Sequence, residues 1–234
     1  MHLFYIAHIG SDTVSLPEEE SKHALRVLRL NAGDQVAVVD GAGGYYQARI
    51  QDPHPKRCQL RITGAQQQFG YRPYQVQVAV APTKNMDRME WFVEKATEIG
   101  IDDIFFLQCE RSERKQLNLE RLEKIVVSAM KQSLKAYKPR LHELQPLKEF
   151  LAGCSPQQTY IAHLEEQERQ ALHQIAVPEK CCILIGPEGD FSPKEIAQAY
   201  DQGIKAVTLG SSRLRTETAA LVACHTLHLL HEMK

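Results

Sequence analysis

The spacing of apolar residues changes character once along the chain. Before residue 70 they fall in short β-prone runs, at 36–39, 45–50 and 57–63, divided by Asp40-Gly41-Ala42-Gly43-Gly44 and by Asp52-Pro53-His54-Pro55. Glycine and proline at that density punctuate a chain into turns, so this stretch predicts a small β-barrel. Just ahead of it, residues 18–30 predict a short helix on which Lys22, Arg26 and Arg29, three to four residues apart, share one side. Residues 64–70, with Pro73 close behind, mark a junction, which gives one domain at 1–70 and another at 73–234.

From Tyr74 onward strand and helix alternate. Strands are predicted at 75–81, 104–108, 159–163, 182–185 and 206–209. Between them lie a helix at 86–99, with Met89, Phe92, Val93, Ala96 and Ile99 inward, and another at 119–136. Strands rich in Val and Ile, joined by helical crossovers, predict an α/β fold with a mostly parallel sheet covered on both faces. Ligands of such sheets bind beyond the carboxyl ends of the strands, so the loops after 81, 108, 163, 185 and 209 are the ones to inspect.

Composition narrows the class. With 234 residues, 43% hydrophobic and 24% charged, and only 13 Gly and 11 Pro, the chain is neither disordered, collagen-like nor linker-dominated. No apolar run approaches the roughly 18 residues of a membrane span, and the first residues lack a basic region followed by an apolar stretch. The expected compartment is the cytoplasm, with no membrane partner. Six cysteines form no C-x-x-C pair, and Cys181-Cys182 sits in an apolar run, so reduced thiols are expected. His225, His228 and His231 step around a helix by threes and lack an H-E-x-x-H arrangement; they suit a helix C-terminus better than a metal, and no metal is expected.

A net charge of −1 and a pI near 6.8 give no global sign of a nucleic-acid partner. Locally the balance differs: residues 111–140 carry nine basic residues against three acidic ones. This segment reads either as a solvated basic helix or as a surface for phosphates.

Two loops carry candidate chemistry. The strand ending at Ile185 runs into Gly186-Pro187-Glu188-Gly189-Asp190-Phe191, then Ser192-Pro193-Lys194-Glu195, a capping box with proline at the first helical position. The glycines let backbone groups approach a ligand, but the spacings of a dinucleotide or P-loop fingerprint are absent. The next strand ends in Leu209-Gly210, followed by Ser211-Ser212-Arg213-Leu214-Arg215 and an apolar helix that Thr216 can cap and whose dipole Glu217 complements. A core does not select two arginines in such a loop; an anionic or polar substrate accounts for them.

The segments 186–192 and 209–219 together resemble the two cofactor-loop motifs of the RsmE family, the 16S ribosomal RNA (uracil-N3)-methyltransferases of the SPOUT superfamily. The resemblance extends to 84–91, 95–100, Arg111-Ser112, 131–133, 23–29 and the Asp40-Gly41 turn, hence to nearly the whole chain. It implies an N-terminal PUA-like β-barrel that helps hold RNA and a C-terminal α/β domain with a trefoil knot. It further implies a homodimer that uses S-adenosylmethionine to methylate N3 of a uridine in the decoding region of 16S rRNA, as free RNA or within the 30S subunit. Carried over by residue, the cofactor site comprises Leu164, Ile185, Gly186, Pro187, Glu188, Gly189, Leu209, Gly210, Ser211 and Leu214. Two departures stand out: Asp190 replaces a second glycine and puts a carboxylate by the cofactor loop, and Lys131, followed by Lys135, strengthens the basic face.

Uridine N3 is a poor nucleophile until its proton leaves, so the site should stabilise charge developing on O2 and O4. Arg213 and Arg215 are the candidates. Glu217 is a candidate proton acceptor and equally a dipole-matching residue. Lys22, Arg26, Arg29, Lys84, Arg88, Arg111, Arg114, Lys131 and Lys135 are the expected phosphate contacts. Other readings are a related knotted methyltransferase acting on another base or on a ribose hydroxyl, and a non-catalytic RNA-binding or ribosome-assembly protein.

Overall fold

Two sheets follow from the two rhythms. A computed structural model describes residues 1–165 and 169–234 and divides into one unit of residues 1–71 with 127–138 and another of residues 72–126 with 139–234.

In the first unit, β1 (His2–Tyr5), β2 (Thr13–Ser15), β3 (Gln35–Val39), β4 (Tyr45–Asp52) and β5 (Gln59–Gln66) form a sheet in the order β1-β3-β4-β5-β2. The β1–β3 pair is parallel and the others are antiparallel. Val36, Val38, Ala48, Ile50 and Leu60 alternate into a core with Phe4 and Leu16. The glycine-rich turn between β3 and β4 is ordered by the Asp40 carboxylate, which accepts from the amides of Ala42 and Gly44 at 2.8 and 2.9 Å. The helix expected at 18–30 is shorter. It comprises α1 (Glu18–Lys22) and a π-helical turn at His23–Val27, after which Arg29 takes a left-handed φ of 56°. A wider turn breaks the spacing that would have kept Lys22, Arg26 and Arg29 on one α-helical face.

The second unit holds β6 (Gln75–Val80), α2 (Met86–Ile99), β7 (Asp103–Gln108), α3 (Leu119–Gln132), β8 (Arg140–Pro146), α4 (Leu147–Gly153), β9 (Thr159–Ala162), β10 (Gln170–Ala171), β11 (Lys180–Ile185), α5 (Pro193–Asp201), β12 (Lys205–Thr208) and α6 (Thr216–Glu232), the last turn and a half of α3 belonging to the first unit. The strand order is β10-β12-β9-β11-β6-β7-β8, and every pair is parallel. Strand periodicity feeds two cores. Val76, Val78, Val80, Cys181, Ile183 and Ile185 pack with Phe92 of α2 and Leu227 of α6, while Ala79, Cys182 and Leu184 face Phe150 of α4 and Ile196 of α5. α3 stops at Gln132, short of the expected 136. Ser133 Oγ donates back to Ala129, Leu134 adopts φ 56°, and the Lys135 amide reaches the Met130 carbonyl, the signature of a left-handed cap.

β11 lies between β9 and β6, and β12 lies on the far side of β9. The loops after β9, β11 and β12 therefore leave the carboxyl edge of the sheet side by side. All six cysteines are free thiols. Among the described residues no helix is long and apolar enough to cross a membrane.

Candidate functional site

The three neighbouring loops enclose a cavity of about 690 Å³, within the range of small-molecule sites. His163 and Leu164 wall it from β9; Ile185, Gly186, Pro187, Glu188 and Asp190 from β11. Leu209, Gly210, Ser211, Arg213, Leu214 and Arg215 close it from β12, with Thr216 and Ala219 of α6 beneath. Of the residues expected around the cofactor, Gly189 is not in this lining, and of the expected catalytic residues Glu217 is not.

Hydrogen bonds from elsewhere in the unit and within the turn hold the 186–191 segment at several points. The Gly186 carbonyl accepts from Thr216 Oγ1 at 3.1 Å, so Thr216 ties α6 to the loop, while Arg215 occupies the N-cap position that Thr216 was expected to take. The Pro187 carbonyl accepts from the Asp190 amide, closing the turn at 2.9 Å. Glu188 Oε1 accepts from the Lys84 amide. Arg111 Nη1 donates to the carbonyls of Gly189 and Phe191 at 2.8 and 3.3 Å. Ser192 and Glu195 form the expected capping box, and Glu195 also accepts from the Glu110 amide with its other oxygen. Sequence reading found the capping box from its S-x-x-E spacing. It had no signal for the Arg111, Glu188 and Thr216 ties, which join residues 30 to 104 positions apart.

The electrostatics are uneven. Arg213 and Arg215 are exposed on the cavity wall. Glu217 is 6% exposed, its Oε1 3.8 Å from Arg88 Nε and its Oε2 without a hydrogen-bond partner among the described residues. His163 is buried with Nε2 2.8 Å from the Tyr200 hydroxyl. Burial holds its pKa below the usual value despite the nearby Asp190 carboxylate, and Arg169 adds to the depression. Both effects favour the neutral imidazole.

Much of the basic surface read from the sequence is engaged. Lys22 pairs with Glu18, Lys84 with Glu113, and Lys131 with Glu20. Arg114 donates to the carbonyls of Thr83 and Lys84. Arg26 and Arg29 are exposed and Lys135 is half-buried. Of the three C-terminal histidines, His225 is exposed, His228 lies 3.2 Å from the Tyr74 hydroxyl, and His231 stacks on the Tyr74 ring. Among the described residues no group of three or more His, Cys, Asp or Glu side chains is placed to hold a metal ion.

Residues 71–228 match the family model of the RNA methyltransferase domain, and residues 16–63 that of the RNA methyltransferase PUA domain. The class is thus an RNA methyltransferase with its own PUA-like unit. A solved probable rRNA-methyltransferase from Porphyromonas gingivalis is 42% identical, covers 100% of this chain and 99% of its own, and superposes with a TM-score of 0.93. A solved ribosomal RNA small subunit methyltransferase E from Neisseria gonorrhoeae, bound to S-adenosyl methionine, is 28% identical over 98% of each chain with a TM-score of 0.88. The protein of that name from Synechocystis sp. is 31% identical over 227 residues, 94% of this chain and 74% of that protein. The chain belongs to the ribosomal RNA small subunit methyltransferase E family.

Proposed function

We propose that this protein transfers a methyl group from S-adenosylmethionine to N3 of a uridine in the decoding region of 16S rRNA. The observation that carries the reading is the convergence of the loops after β9, β11 and β12 on one cavity that has two arginines at its edge.

The residues present fit the cofactor. Ile185, Pro187, Leu209 and Leu214 give apolar walls for an adenosyl group, and the small residues Gly186, Gly210 and Ser211 leave backbone atoms open to its polar edges. When bound, S-adenosylmethionine supplies a methyl group on a sulfonium, open to in-line attack. The protein's own work is to hold the base against that donor and to ease loss of the N3 proton. Arg213 and Arg215 place positive charge where O2 and O4 of the uridine become negative as the proton leaves for water. Glu217, which lies off the cavity lining beside Arg88, orders the start of α6 behind Arg215 and in this reading does not touch substrate.

The exposed Arg26 and Arg29 of the first unit suit RNA phosphates; Lys22, Lys131 and Lys135 of that unit, and Lys84 and Arg88 of the other, are proposed for the same role. Arg111 and Arg114, expected in the same role, spend their guanidinium groups on loop carbonyls. An Arg111→Ala variant should therefore raise KM for the cofactor about tenfold, a loss of one or two charge-assisted hydrogen bonds, while the salt dependence of RNA binding stays near wild type. Steady-state kinetics and a salt titration of RNA affinity check the two halves separately. We further propose that the C-terminal domain is threaded as a trefoil knot and that the protein acts as a homodimer without a metal, on the 30S particle, in the cytoplasm.

Methylation with labelled cofactor on naked 16S RNA and on 30S particles, followed by mass mapping of the modified nucleotide, tests the reaction. N3-methyluridine is the expected product. A labelled ribose, or another labelled base, rejects the N3 assignment; RNA binding without transfer rejects the enzyme.

A further inference from the structure

The sequence singled out Asp190 because the family resemblance places a glycine there, and the function proposed above leaves it unused. Its geometry is specific. The residue sits in the left-handed region at φ 61°, a conformation that aspartate tolerates better than most side chains, and this turns its carboxylate back toward the neighbouring strand end. Oδ2 accepts from the Leu164 amide at 2.8 Å and Oδ1 from the Phe191 amide at 2.8 Å. The peptide between His163 and Leu164 is gripped from its other side as well, because the His163 carbonyl accepts from Arg169 Nη1. One peptide unit thus has its N–H on an anion and its C=O on a cation, and Asp190, Arg169, His163 and Leu164 all line the cavity.

We propose that Asp190 is a positioning residue that staples the loop after β11 to the loop after β9 and so fixes the width of the cofactor cavity. The staple replaces the freedom of a glycine with a charge-assisted hydrogen bond between two walls of the cavity. It pre-orders the cavity, so the cofactor does not bear the cost of ordering it on binding. The inference rests on the cavity being the S-adenosylmethionine site.

Calorimetry with S-adenosylmethionine, and steady-state methylation, on the full chain test it. Asp190→Gly keeps the left-handed turn without strain and removes the staple. It should weaken cofactor binding and raise its KM about tenfold, with kcat at saturating cofactor falling less than about threefold. Asp190→Asn, whose single amide oxygen can serve one of the two amides, should fall between. A general structural role would not give this ordering or a split of KM from kcat. Cofactor affinity of Asp190→Gly within twofold of wild type overturns the staple, as does a fall in kcat with KM unchanged. If the wild-type protein itself gives no heat with S-adenosylmethionine, the reading of the cavity fails before any variant is made, and the staple with it.

Discussion

Replacing Arg215 by alanine leaves S-adenosylmethionine bound and removes most of the turnover. The side chain stands at the N-cap of α6, exposed on the rim of the cavity, and the N-cap makes no side-chain bond to the helix. Its loss therefore removes no helix cap. In the proposed reaction it removes a positive charge held where the uracil oxygens become negative, an interaction that matters more in the transition state than in the ground state. Losing one such donor costs on the order of a hundredfold in kcat. The expected pattern is kcat down about a hundredfold, cofactor Kd within about threefold and unfolding free energy unchanged within the roughly ±0.5 kcal/mol typical of surface substitutions. Arg213→Ala should move the same quantities less or equally, and the double variant tells whether the pair acts as one site. Wild-type turnover in Arg215→Ala removes that residue from the mechanism, and loss of cofactor binding reassigns it to the cofactor.

That Arg213 and Arg215 could be singled out at all shows what kind of information the sequence carried. Alternation in 76–80 and 181–185 and the helical spacing of Met89, Phe92, Val93 and Ala96 reflect burial, and burial is written locally; the parallel sheet and its two covered faces follow from it. The loops at 186–191 and 209–215 were legible because glycine, the S-x-x-E box and unburied arginines are local signals too. The short β1, β2 and β10, of four, three and two residues, carry too few positions for a period to show. The end of α3 depended on a hydroxyl bonding back and a leucine turning left-handed, which no propensity for 133–134 announces. The basic stretch shows a different limit. Charge is visible in sequence, but the carbonyls that occupy Arg111 and Arg114, and the carboxylate of Glu20 that pairs with Lys131, come from 30 to 111 residues away. Asp190 is the converse case: a residue that looked like a disturbance of the loop sits at a hydrogen bond between two loops.

A substitution at Gly186 is expected to lower stability and cofactor affinity together. Gly186 is not among the glycines with positive φ, so alanine there meets no conformational objection. The objection is steric. A Cβ would stand 3.0 Å from the Phe191 amide nitrogen and 3.1 and 3.2 Å from two carbons of its ring. Neither neighbour can yield easily, since the Phe191 side chain is fully buried, its amide is held by Asp190 and its carbonyl by Arg111. Overpacking of this kind costs about 1–3 kcal/mol, and relief comes only by moving the 186–191 loop, which is a wall of the cavity. Gly186→Ala should therefore lower the melting temperature by about 2–4 °C per kcal/mol lost and weaken S-adenosylmethionine at least tenfold. The comparison that separates the two effects is Gly203→Ala. Gly203 has φ 83° in the turn after α5, and a Cβ there would meet nothing within 4 Å; the residue has no place in the cavity lining. Alanine at 203 costs about 1–2 kcal/mol of left-handed strain and should lower the melting temperature by a similar amount with cofactor affinity unchanged. Equal cofactor affinity in both variants would mean that the loop after β11 yields to the added methyl without narrowing the cavity, and that the walls of the site are set elsewhere.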